Sequence, residues 1–526
     1  MYLIELLLAI LLVIATIIIV RVYTSYRKVS HIPGGWQITS FLFRIPIVAE
    51  YVFINNPRRI LQLVKEKSEK ENGNVVRVSL MGRNIVYIND KELLKEVIVT
   101  KGHNFPKHKA PYEGFTIFGE NILTIEDSAD ENLRNHHKVC SPAFTNQNLE
   151  YLVDYSSKSI GKLFDRWQKQ TKEYTINGKT VQGYSPADIK NDFSDLTLDI
   201  LGQVGFGLDF DIFSANEHSE GIEFRKSLEL LFTTGVFVKL YVGMNPLLKW
   251  AHPLAQQYFG IDHALKYVSS KLDDMISVRK NEIEHQFSLS GEGSDRRDLL
   301  SCLIEANYLQ KGLLTDDEVK SDAFIFSLAG HDTTSTTFQW CCYELGKRLD
   351  VQQKVREEVN SILKGRKPVF DDFTEMNYLN CVVMETLRLH PPVPAGFRVA
   401  KKSTNIGKYQ IPKGTIIALD LANTNWNEKH WEKPFEFIPE RFAMNFDERQ
   451  KTESDFTWVP FSMGNRKCIG FKFSRYELFT LLSNMMQKYE IITLNDESNP
   501  KDRVYEVPGP TINPGNLRLL FKEISN

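Results

Sequence analysis

The sequence predicts a mainly α-helical protein with a small β region, in which one large domain follows an N-terminal transmembrane helix. Three observations carry this prediction. The run Leu3–Val20 is apolar apart from Glu5 and Thr16. Apolar residues recur at mainly helical spacing over about Thr145–Leu349, and Asn74–Asp90 reads as two strands around a Met-Gly-Arg turn.

The composition of the 526-residue chain is that of a globular protein and argues against some classes of function. Hydrophobic residues make up 42% and charged residues 25%. A net charge of -2 argues against nucleic-acid binding, for which a clearly basic domain is expected. The six cysteines are scattered and two of them are adjacent, so they predict no disulfide framework and favour a reducing compartment.

The apolar N-terminal run predicts a membrane anchor over residues 1–20. As a helix, Leu3–Val20 would span about 27 Å at roughly 1.5 Å per residue, close to the thickness of the endoplasmic reticulum core. A cleaved signal peptide is the alternative, but the run lacks a basic start and a small-residue cleavage site. Arg21, Arg27 and Lys28 follow it, so the positive-inside rule predicts a single-pass endoplasmic reticulum protein with a cytosolic catalytic domain.

A short joint follows the anchor. In "HIPGGW" (His31–Trp36), the proline and the two glycines stop any helix. We therefore assign residues 21–35 to a basic flank and linker. Residues 36–526 contain no repeat and no evident internal boundary, so they are predicted to form the catalytic domain.

The longest helix is predicted over about Asp316–Leu349. Thr315 and Glu318 form the pattern of a capping box at its start. In its middle stands "AGHDTT" (Ala329–Thr334), where Gly weakens a helix and Asp and Thr compete for backbone hydrogen bonds, so a break is expected there. An ordinary polar helix face is the alternative. The apolar stretch "AFIFSL" just before it favours a buried functional segment instead.

Another helix is predicted to end in "ETLRLHPP", where Glu385 and Arg388 share one face. Taken alone, this pair reads as a surface ion pair. The later "PERF" supplies a second arginine, Arg441. A carboxylate between two guanidinium groups would fix how the loop that follows approaches the core.

The stretch "FSMGNRKCIG" (Phe461–Gly470) combines one cysteine, two glycines and two cations. Gly464 and Gly470 allow close approach to a cofactor, and an amphipathic helix is predicted after Cys468, with its N-terminal dipole facing the sulfur. No second Cys or His stands at zinc-ligand spacing, and no local signature marks a cysteine nucleophile. A lone thiolate here fits an axial haem ligand, with Arg466 reaching an anionic cofactor edge.

With these motifs the sequence resembles the cytochrome P-450 family. The cysteine stretch matches the family's haem-loop pattern F-x-x-G-x-R-x-C-x-G at every specified position, and "AGHDTT" is similar to its oxygen-activating helix motif. Glu385, Arg388 and Arg441 resemble its structural triad. "FRVAKK" places Arg398 where the family commonly carries an arginine that binds a haem propionate. The resemblance covers about residues 33–526.

The resemblance implies the cytochrome P-450 fold, with haem b held between the long helix and the cysteine loop. Cys468 would be the axial iron ligand, and Arg398 and Arg466 would bind propionates. Asp332 and Thr333 would organise proton delivery with water. The enzyme would be a monooxygenase acting on a lipophilic substrate such as a sterol, fatty acid, terpenoid or xenobiotic. Its electrons would come from NADPH through NADPH-cytochrome P-450 reductase, with cytochrome b5 as a further donor.

Two features depart from commoner family patterns. Upstream of "SPAF", many members carry a tryptophan and, four residues later, an arginine, which both bond a propionate. Here these positions are Leu133 and His137, and we hypothesise that His137 takes the role of the arginine. A solvated histidine is the alternative. Ala329 stands where some "GHDTT" members have a glutamate that forms an ester with haem, so the haem is expected to be non-covalent.

Apolar segments are predicted to shape the substrate pocket. They are Pro111–Phe118, Pro392–Phe397 and Phe326, while Leu228–Trp250 is a candidate lid that dips into the bilayer. Plain core is an equal alternative for each of them.

Three cations near the cysteine, Lys467, Lys472 and Arg475, are a candidate docking face for an acidic reductase, with a solvated face as the alternative. Two functions other than a monooxygenase stay open. One is a haem-thiolate isomerase or dehydratase of lipid peroxides. Asp332 and Thr333 argue against it, because such enzymes need no proton relay. The other is a haem-binding sensor without turnover.

Overall fold

A computed structural model describes most of the chain after the N-terminal segment. The described residues are 16, 20, 23–24, 27–32, 34–36, 74–80, 83–126, 131–176, 178–213, 219–239, 249–290, 298–308, 313–443, 455–507 and 509–524. The predicted anchor over residues 1–20 therefore lies outside them, except for Thr16 and Val20. None of the helices within these ranges has the length and the apolar character needed to cross a bilayer.

The architecture is mainly helical with small β-sheets, which confirms the predicted fold class apart from the anchor. The helices are Lys91–Lys95, Lys109–Tyr112, Glu131–Cys140, Asn146–Gln168, Ile189–Phe206, Glu220–Leu230, Val236–Val238, His252–Tyr258, Ile261–Ser290, Leu299–Tyr308, Asp316–Lys347, Leu349–Leu363, Asp372–Glu375, Asn377–Leu389, Leu421–Asn425 and Phe471–Lys488. The strands are β1 (Gly34–Trp36), β2 (Val75–Leu80), β3 (Arg83–Ile88), β4 (Lys172–Ile176), β5 (Lys179–Tyr184), β6 (Ala395–Val399), β7 (Thr404–Ile406), β8 (Tyr409–Ile411), β9 (Ile416–Asp420), β10 (Tyr489–Thr493), β11 (Tyr505–Val507), β12 (Asn513–Gly515) and β13 (Leu519–Glu523).

The described residues form two compact units. The first takes its residues from Met1–His108, Pro394–Pro434 and Gln450–Arg466, and the second takes the rest. The boundaries predicted for the catalytic domain, residues 36–526, stay a prediction.

The first unit is built on a five-stranded sheet with the strand order β1-β2-β3-β9-β6. β2 and β3 pair antiparallel, so the two strands predicted within Asn74–Asp90 are confirmed, although the turn residues Met81 and Gly82 lie outside the described ranges. β3 pairs parallel with β9, and β9 pairs antiparallel with β6, the strand that carries Arg398. Valine and isoleucine side chains of β2, β3 and β9 fill its core, because alternate residues of a strand point to the same face.

The second unit is a helical body with a four-stranded sheet of order β10-β13-β5-β4. The sequence predicts a polar break in the helical pattern over Thr171–Pro186. The structure has this break between the helices Asn146–Gln168 and Ile189–Phe206, and it forms the β4–β5 hairpin there. β5 then pairs antiparallel with β13, near the end of the chain. The core of this unit collects apolar side chains from the helices between Glu131 and Lys347.

The long helix (Asp316–Lys347) crosses the second unit, close to its predicted bounds of Asp316–Leu349. The predicted capping box is confirmed: the Glu318 amide donates to the Thr315 hydroxyl at 3.3 Å, and the Thr315 amide donates to the Glu318 carboxylate at 2.8 Å. The helix is buried over most of its length. A Cβ at Gly330 would lie 2.9 Å from Leu201, so a glycine there lets the helix Ile189–Phe206 approach closely.

Candidate functional site

Cys468 lies in a loop directly before the cysteine helix (Phe471–Lys488), which confirms the helix predicted to follow it. The loop crosses from the first unit to the second between Arg466 and Lys467. Gly464 adopts a positive φ of 67°, in the left-handed region that glycine favours. A Cβ at Gly464 would lie 2.9 Å from the side chain of Ile98, so a larger residue would also displace its neighbour.

Cys468 differs from the other five cysteines, all of which the structure describes. It is exposed, whereas Cys140, Cys302, Cys341, Cys342 and Cys381 are buried. Burial raises the pKa of the Cys341 thiol to about 12 and raises those of Cys140 and Cys342 well above their ordinary value. A buried thiol that keeps its proton is a poor ligand for a metal, because the thiolate is the form that binds. Cys468, which is exposed, therefore stays the predicted haem ligand.

The long helix and the cysteine helix lie side by side within the second unit. The Thr334 hydroxyl donates to the Ser474 hydroxyl at 3.3 Å. The Phe144 ring lies 6.3 Å from the Phe326 ring on the long helix and 6.3 Å from the Phe473 ring on the cysteine helix, between ring centroids. The element that carries Asp332 and Thr333 and the helix that follows Cys468 therefore form one neighbourhood.

The break expected at "AGHDTT" is wrong, because the long helix runs unbroken from Asp316 to Lys347. The hydroxyl groups do not compete with the helix but bond to it: Thr333 donates to the Ala329 carbonyl at 2.9 Å. His331 is buried and contacts the Ser327 carbonyl through Nδ1 at 2.6 Å. Side-chain bonds to carbonyls four residues back leave the helix intact.

Asp332 and Thr333 have different surroundings. The Asp332 side chain is 9% exposed, and its Oδ2 accepts a hydrogen bond from the Thr511 hydroxyl at 2.6 Å. The Thr333 side chain is half-buried. The Thr333 O–H donates its hydrogen bond to the Ala329 carbonyl. The lone pairs of the Thr333 hydroxyl oxygen can therefore accept a hydrogen bond from water.

The structure brings Glu385, Arg388 and Arg441 together. Arg388 donates two bonds to the Glu385 carboxylate, from Nε to Oε2 at 2.7 Å and from Nη2 to Oε1 at 2.8 Å. Arg441 Nε lies 3.3 Å from Glu385 Oε1, which also accepts from the Ile438 amide at 2.9 Å. Glu385 and Arg388 are completely buried, so the pair is not the surface ion pair that their spacing alone would suggest. The carboxylate ties the segment that precedes the cysteine loop to the helix Asn377–Leu389.

The three residues predicted to bind propionates lie on three different elements. Arg398 lies on β6 and Arg466 ends a short 3-10 turn, both in the first unit. His137 lies in the second unit on the helix Glu131–Cys140, where it is half-buried. Their role toward haem stays a prediction.

A charged cluster that the sequence did not reveal surrounds the neighbouring His136. This side chain is completely buried, and its Nδ1 lies 2.5 Å from Asp322 Oδ2 on the long helix. Its Nε2 faces Glu318 Oε1 at 3.7 Å, and Asp322 Oδ1 accepts from the Ile122 amide at 2.9 Å. Burial by itself lowers the pKa of His136, but Asp322 and Glu318 raise it, and the net direction is upward. The cluster ties the helix Glu131–Cys140 to the long helix.

The raised pKa of His136 predicts a pH-dependent stability. A histidine with a raised folded pKa contributes fully below its unfolded value of about 6.5, and the contribution is lost as pH rises through the folded pKa. The groups that face His136 are Asp322 and Glu318, and both raise its pKa. We expect His136→Gln to cost about 1–3 kcal/mol at pH 6 and less at alkaline pH.

Urea denaturation of both proteins between pH 6 and pH 9 measures this difference. His263→Gln is the control, because that histidine is exposed. Parallel pH curves for the wild type and His136→Gln would contradict the prediction.

Comparisons with known proteins agree with these features. A family model described as "Cytochrome P450" matches residues 40–519. The chain is 25% identical over 429 residues to "Cytochrome P450 3A27" of Oncorhynchus mykiss, covering 79% of this chain and 77% of that protein. It is 29% identical over 448 residues to "Cytochrome P450 monooxygenase 205" of Postia placenta, covering 80% and 79%. It is 26% identical over 455 residues to "Carotene epsilon-monooxygenase, chloroplastic" of Arabidopsis thaliana, covering 85% and 79%.

Proposed function

The chain belongs to the cytochrome P450 family and is a monooxygenase that binds haem b, and we propose that Cys468 is the thiolate ligand of its iron. One observation carries the proposal. Cys468 is the exposed cysteine among six, and it lies at the start of a helix that packs on the long helix. The helix N-terminus favours a thiolate there, because its partial positive charge stabilises the anion.

The residues around Cys468 fit a haem. Gly470 lies close to the sulfur: a Cβ there would be in van der Waals contact with Cys468 Sγ, at 4.0 Å, and the glycine leaves that volume free for a cofactor. Arg398 and Arg466, with His137, would hold the propionates, and the haem would be non-covalent, because Ala329 has no carboxylate to form an ester. When bound, the haem supplies the activation of molecular oxygen. The chain supplies the thiolate, the proton path and the substrate pocket.

The proposed reaction takes one substrate C–H, one O2, two electrons and two protons, and gives one alcohol and one water. Asp332 and Thr333 manage the two protons. Thr333 accepts a hydrogen bond from a water and holds it at the helix surface, while its own O–H donates to the Ala329 carbonyl. The Asp332 carboxylate, held at Oδ2 by Thr511, presents its other oxygen to that water.

Thr333→Ala is expected to separate oxygen reduction from product formation. NADPH is still consumed, hydrogen peroxide rises, and product per NADPH falls by roughly tenfold or more, because positioned proton transfer contributes about 10²–10⁴-fold. Thr337→Ala is the matched control, since Thr337 bonds to the Thr333 carbonyl at 2.8 Å in the same way, one turn later. Unchanged coupling in Thr333→Ala would remove this hydroxyl from the proton path.

A lipophilic substrate is supported by the aromatic side chains near the long helix. The Phe118 ring lies 5.0 Å from that of Phe324 in an edge-on arrangement, and the Phe115 ring lies 5.8 Å from that of Phe232. Pro111–Phe118 and Phe326 were predicted to line the pocket, and such rings favour a sterol, fatty acid, terpenoid or xenobiotic over a polar substrate.

Electrons are proposed to come from NADPH through NADPH-cytochrome P-450 reductase, with cytochrome b5 as a second donor. The cations near Cys468 support an acidic partner. Lys467 Nζ lies 4.0 Å from the centre of the Phe471 ring, and the Arg475 guanidinium lies 5.5 Å from that of Phe373. Lys472 is exposed. Lys467 and Arg475 are held against these rings, and together with Lys472 they offer a positive face to an acidic protein.

The proposed location is the endoplasmic reticulum membrane, with a single-pass anchor over residues 1–20 and a cytosolic catalytic domain. Exposed apolar side chains at the end of the candidate lid and just beyond it support contact with lipid. Trp250 is 73% exposed, Leu254 61% and Tyr258 84%. Such a group of large side chains is costly in water and favourable at a bilayer surface.

The function is tested with the haem-loaded full chain, NADPH, the reductase and a panel of lipids under ¹⁸O2. One labelled oxygen in an alcohol product, with NADPH consumed, supports the proposal. Conversion of lipid hydroperoxides without NADPH would instead indicate an isomerase or dehydratase. Haem binding without turnover of any lipid in the panel would contradict a monooxygenase and favour a sensor.

A further inference from the structure

The loop between β11 and β12 reaches the long helix at Asp332. The Thr511 hydroxyl donates to Asp332 Oδ2 at 2.6 Å, across 179 positions of sequence. Thr511 is 2% exposed and Asp332 is 9% exposed, so water competes little for this bond. A short hydrogen bond from a hydroxyl to a carboxylate is among the stronger ones in proteins.

Thr511 is itself held by a second pair of bonds that returns to the long helix. The Asn513 side-chain amide donates to the Thr511 hydroxyl oxygen at 3.0 Å, and its carbonyl accepts from the Thr336 hydroxyl at 2.8 Å. Thr336 lies one turn after Asp332 on the same helix. Each group has one role: Thr336 donates to Asn513, Asn513 donates to Thr511, and Thr511 donates to Asp332. The direction of every donor is therefore fixed.

The backbone of the same loop is fixed at two further points. The Trp340 indole N–H donates to the Ile512 carbonyl at 3.0 Å, and the Ile512 amide donates to the Pro392 carbonyl at 2.9 Å. A Cβ at Gly509 would lie 3.0 Å from the Thr511 carbonyl, so a side chain there would press on the loop. The backbone hydrogen bonds of this loop therefore fix the position of the Thr511 hydroxyl next to Asp332.

We propose that Thr511 is a positioning residue for the reaction: its hydroxyl holds the Asp332 carboxylate in one orientation by occupying Oδ2. Within the described part of the chain, Asp332 Oδ1 has no hydrogen bond to a protein group. Oδ1 is therefore the oxygen that can meet the water held by Thr333. This inference rests on the proposed role of Asp332 in proton delivery. The inference is that Thr511, 179 positions away in the sequence, orients the Asp332 carboxylate.

The physical reason is rotational freedom. A carboxylate with no partner on either oxygen turns about its terminal bond between two equivalent positions, and its orientation toward water is then not fixed. One strong hydrogen bond at Oδ2 removes that freedom and keeps Oδ1 in one orientation toward the water. Proton transfer depends on such alignment, and misplacement of about 1 Å can cost roughly 10²-fold in rate. Loss of the Thr511 hydroxyl should therefore affect proton delivery before it affects substrate binding.

The test compares Thr511→Val, which keeps the shape and removes the hydroxyl, with Thr511→Ser, which keeps the hydroxyl. In the haem-loaded enzyme with its reductase, Thr511→Val is expected to lower product per NADPH by roughly tenfold, to raise hydrogen peroxide and to enlarge the solvent isotope effect on product formation. Thr511→Ser is expected to behave as the wild type. Thr480→Val is the control, because Thr480 is buried and its hydroxyl donates to the Tyr476 carbonyl of its own helix.

A second readout needs no turnover. Amide hydrogen exchange in the resting haem-loaded enzyme is expected to speed up in residues 505–515 of Thr511→Val, and not in Thr511→Ser. Where Thr511→Val fails to fold, Thr511→Ala and Thr511→Ser replace it as a pair that differs in the hydroxyl, and equal coupling in the two would overturn the proposal.

Asp332→Asn distinguishes the positioning role of Thr511 from the role of Asp332 in proton delivery. Poor coupling in Asp332→Asn together with full coupling in Thr511→Val would overturn the positioning role and leave the function of Asp332 standing. Full coupling in Asp332→Asn would remove Asp332 from proton delivery, and the role of Thr511 with it.

Discussion

Cys468→Ser is expected to abolish the strongly red-shifted Soret band of the reduced carbon monoxide complex and, with it, all monooxygenase activity. Serine has nearly the same shape, but its hydroxyl does not ionise as a thiol does and does not donate electron density to iron in the same way. None of the other five cysteines can take over, because all are buried. Their positions are fixed by the packing of the second unit.

The measurement is a reduced carbon monoxide difference spectrum of each variant, with total haem determined separately. Cys342→Ala is the matched control, since Cys342 is completely buried on the long helix and should leave the band in place. A red-shifted band that survives in Cys468→Ser would show that another group is the ligand. Loss of the band in the control as well would mean that the spectrum reports general damage.

Local signals in the sequence predicted the elements that frame the site. The capping box of Thr315 and Glu318 marks the start of the long helix, because both of its bonds close within four residues. The helix after Cys468 follows from the amphipathic pattern between Ile469 and Tyr489, and it was found over Phe471–Lys488. In such cases the atoms that decide the structure are near neighbours in the chain.

One error came from judging polar residues by local propensity alone, and one hairpin was not predicted. "AGHDTT" was expected to break the long helix, but tertiary packing overrides the local cost, and Gly330 is needed where Leu201 approaches. The hairpin lies in the polar segment Thr171–Pro186, whose pair Asn177-Gly178 is a strong hairpin signal. The structure forms β4 and β5 on either side of it.

The contacts that fix Asp332 and His136 could not be predicted from the sequence. Thr511 and Asp332 are 179 positions apart, and His136 and Asp322 are 186 apart. No periodicity or spacing links residues at such distances, because only the folded core brings them together. The same limit applies to Arg398 and Arg466, whose approach to a propionate stays a prediction.

Arg388→Met is expected to lower the free energy of unfolding by about 3–5 kcal/mol, because it leaves the Glu385 carboxylate buried after the removal of its two best donors. The side chains of both residues are 0% exposed, so water cannot replace the lost bonds. Arg441 Nε and the Ile438 amide remain, at 3.3 and 2.9 Å, and both converge on Oε1, so Oε2 loses its one bond from Arg388. Methionine fills the space but donates no hydrogen bond.

Lys354→Met provides the matched control, since Lys354 and Glu440 form an ion pair whose side chains are 54% and 43% exposed. Its loss should cost no more than about 1 kcal/mol. Urea denaturation of the haem-loaded proteins, followed by circular dichroism and by haem absorbance, compares the two variants. The double variant Glu385→Gln with Arg388→Met should be less damaged than Arg388→Met alone, because it no longer leaves a buried carboxylate that has lost its donors. Equal losses in Arg388→Met and Lys354→Met would show that the buried pair does not hold this segment to the core.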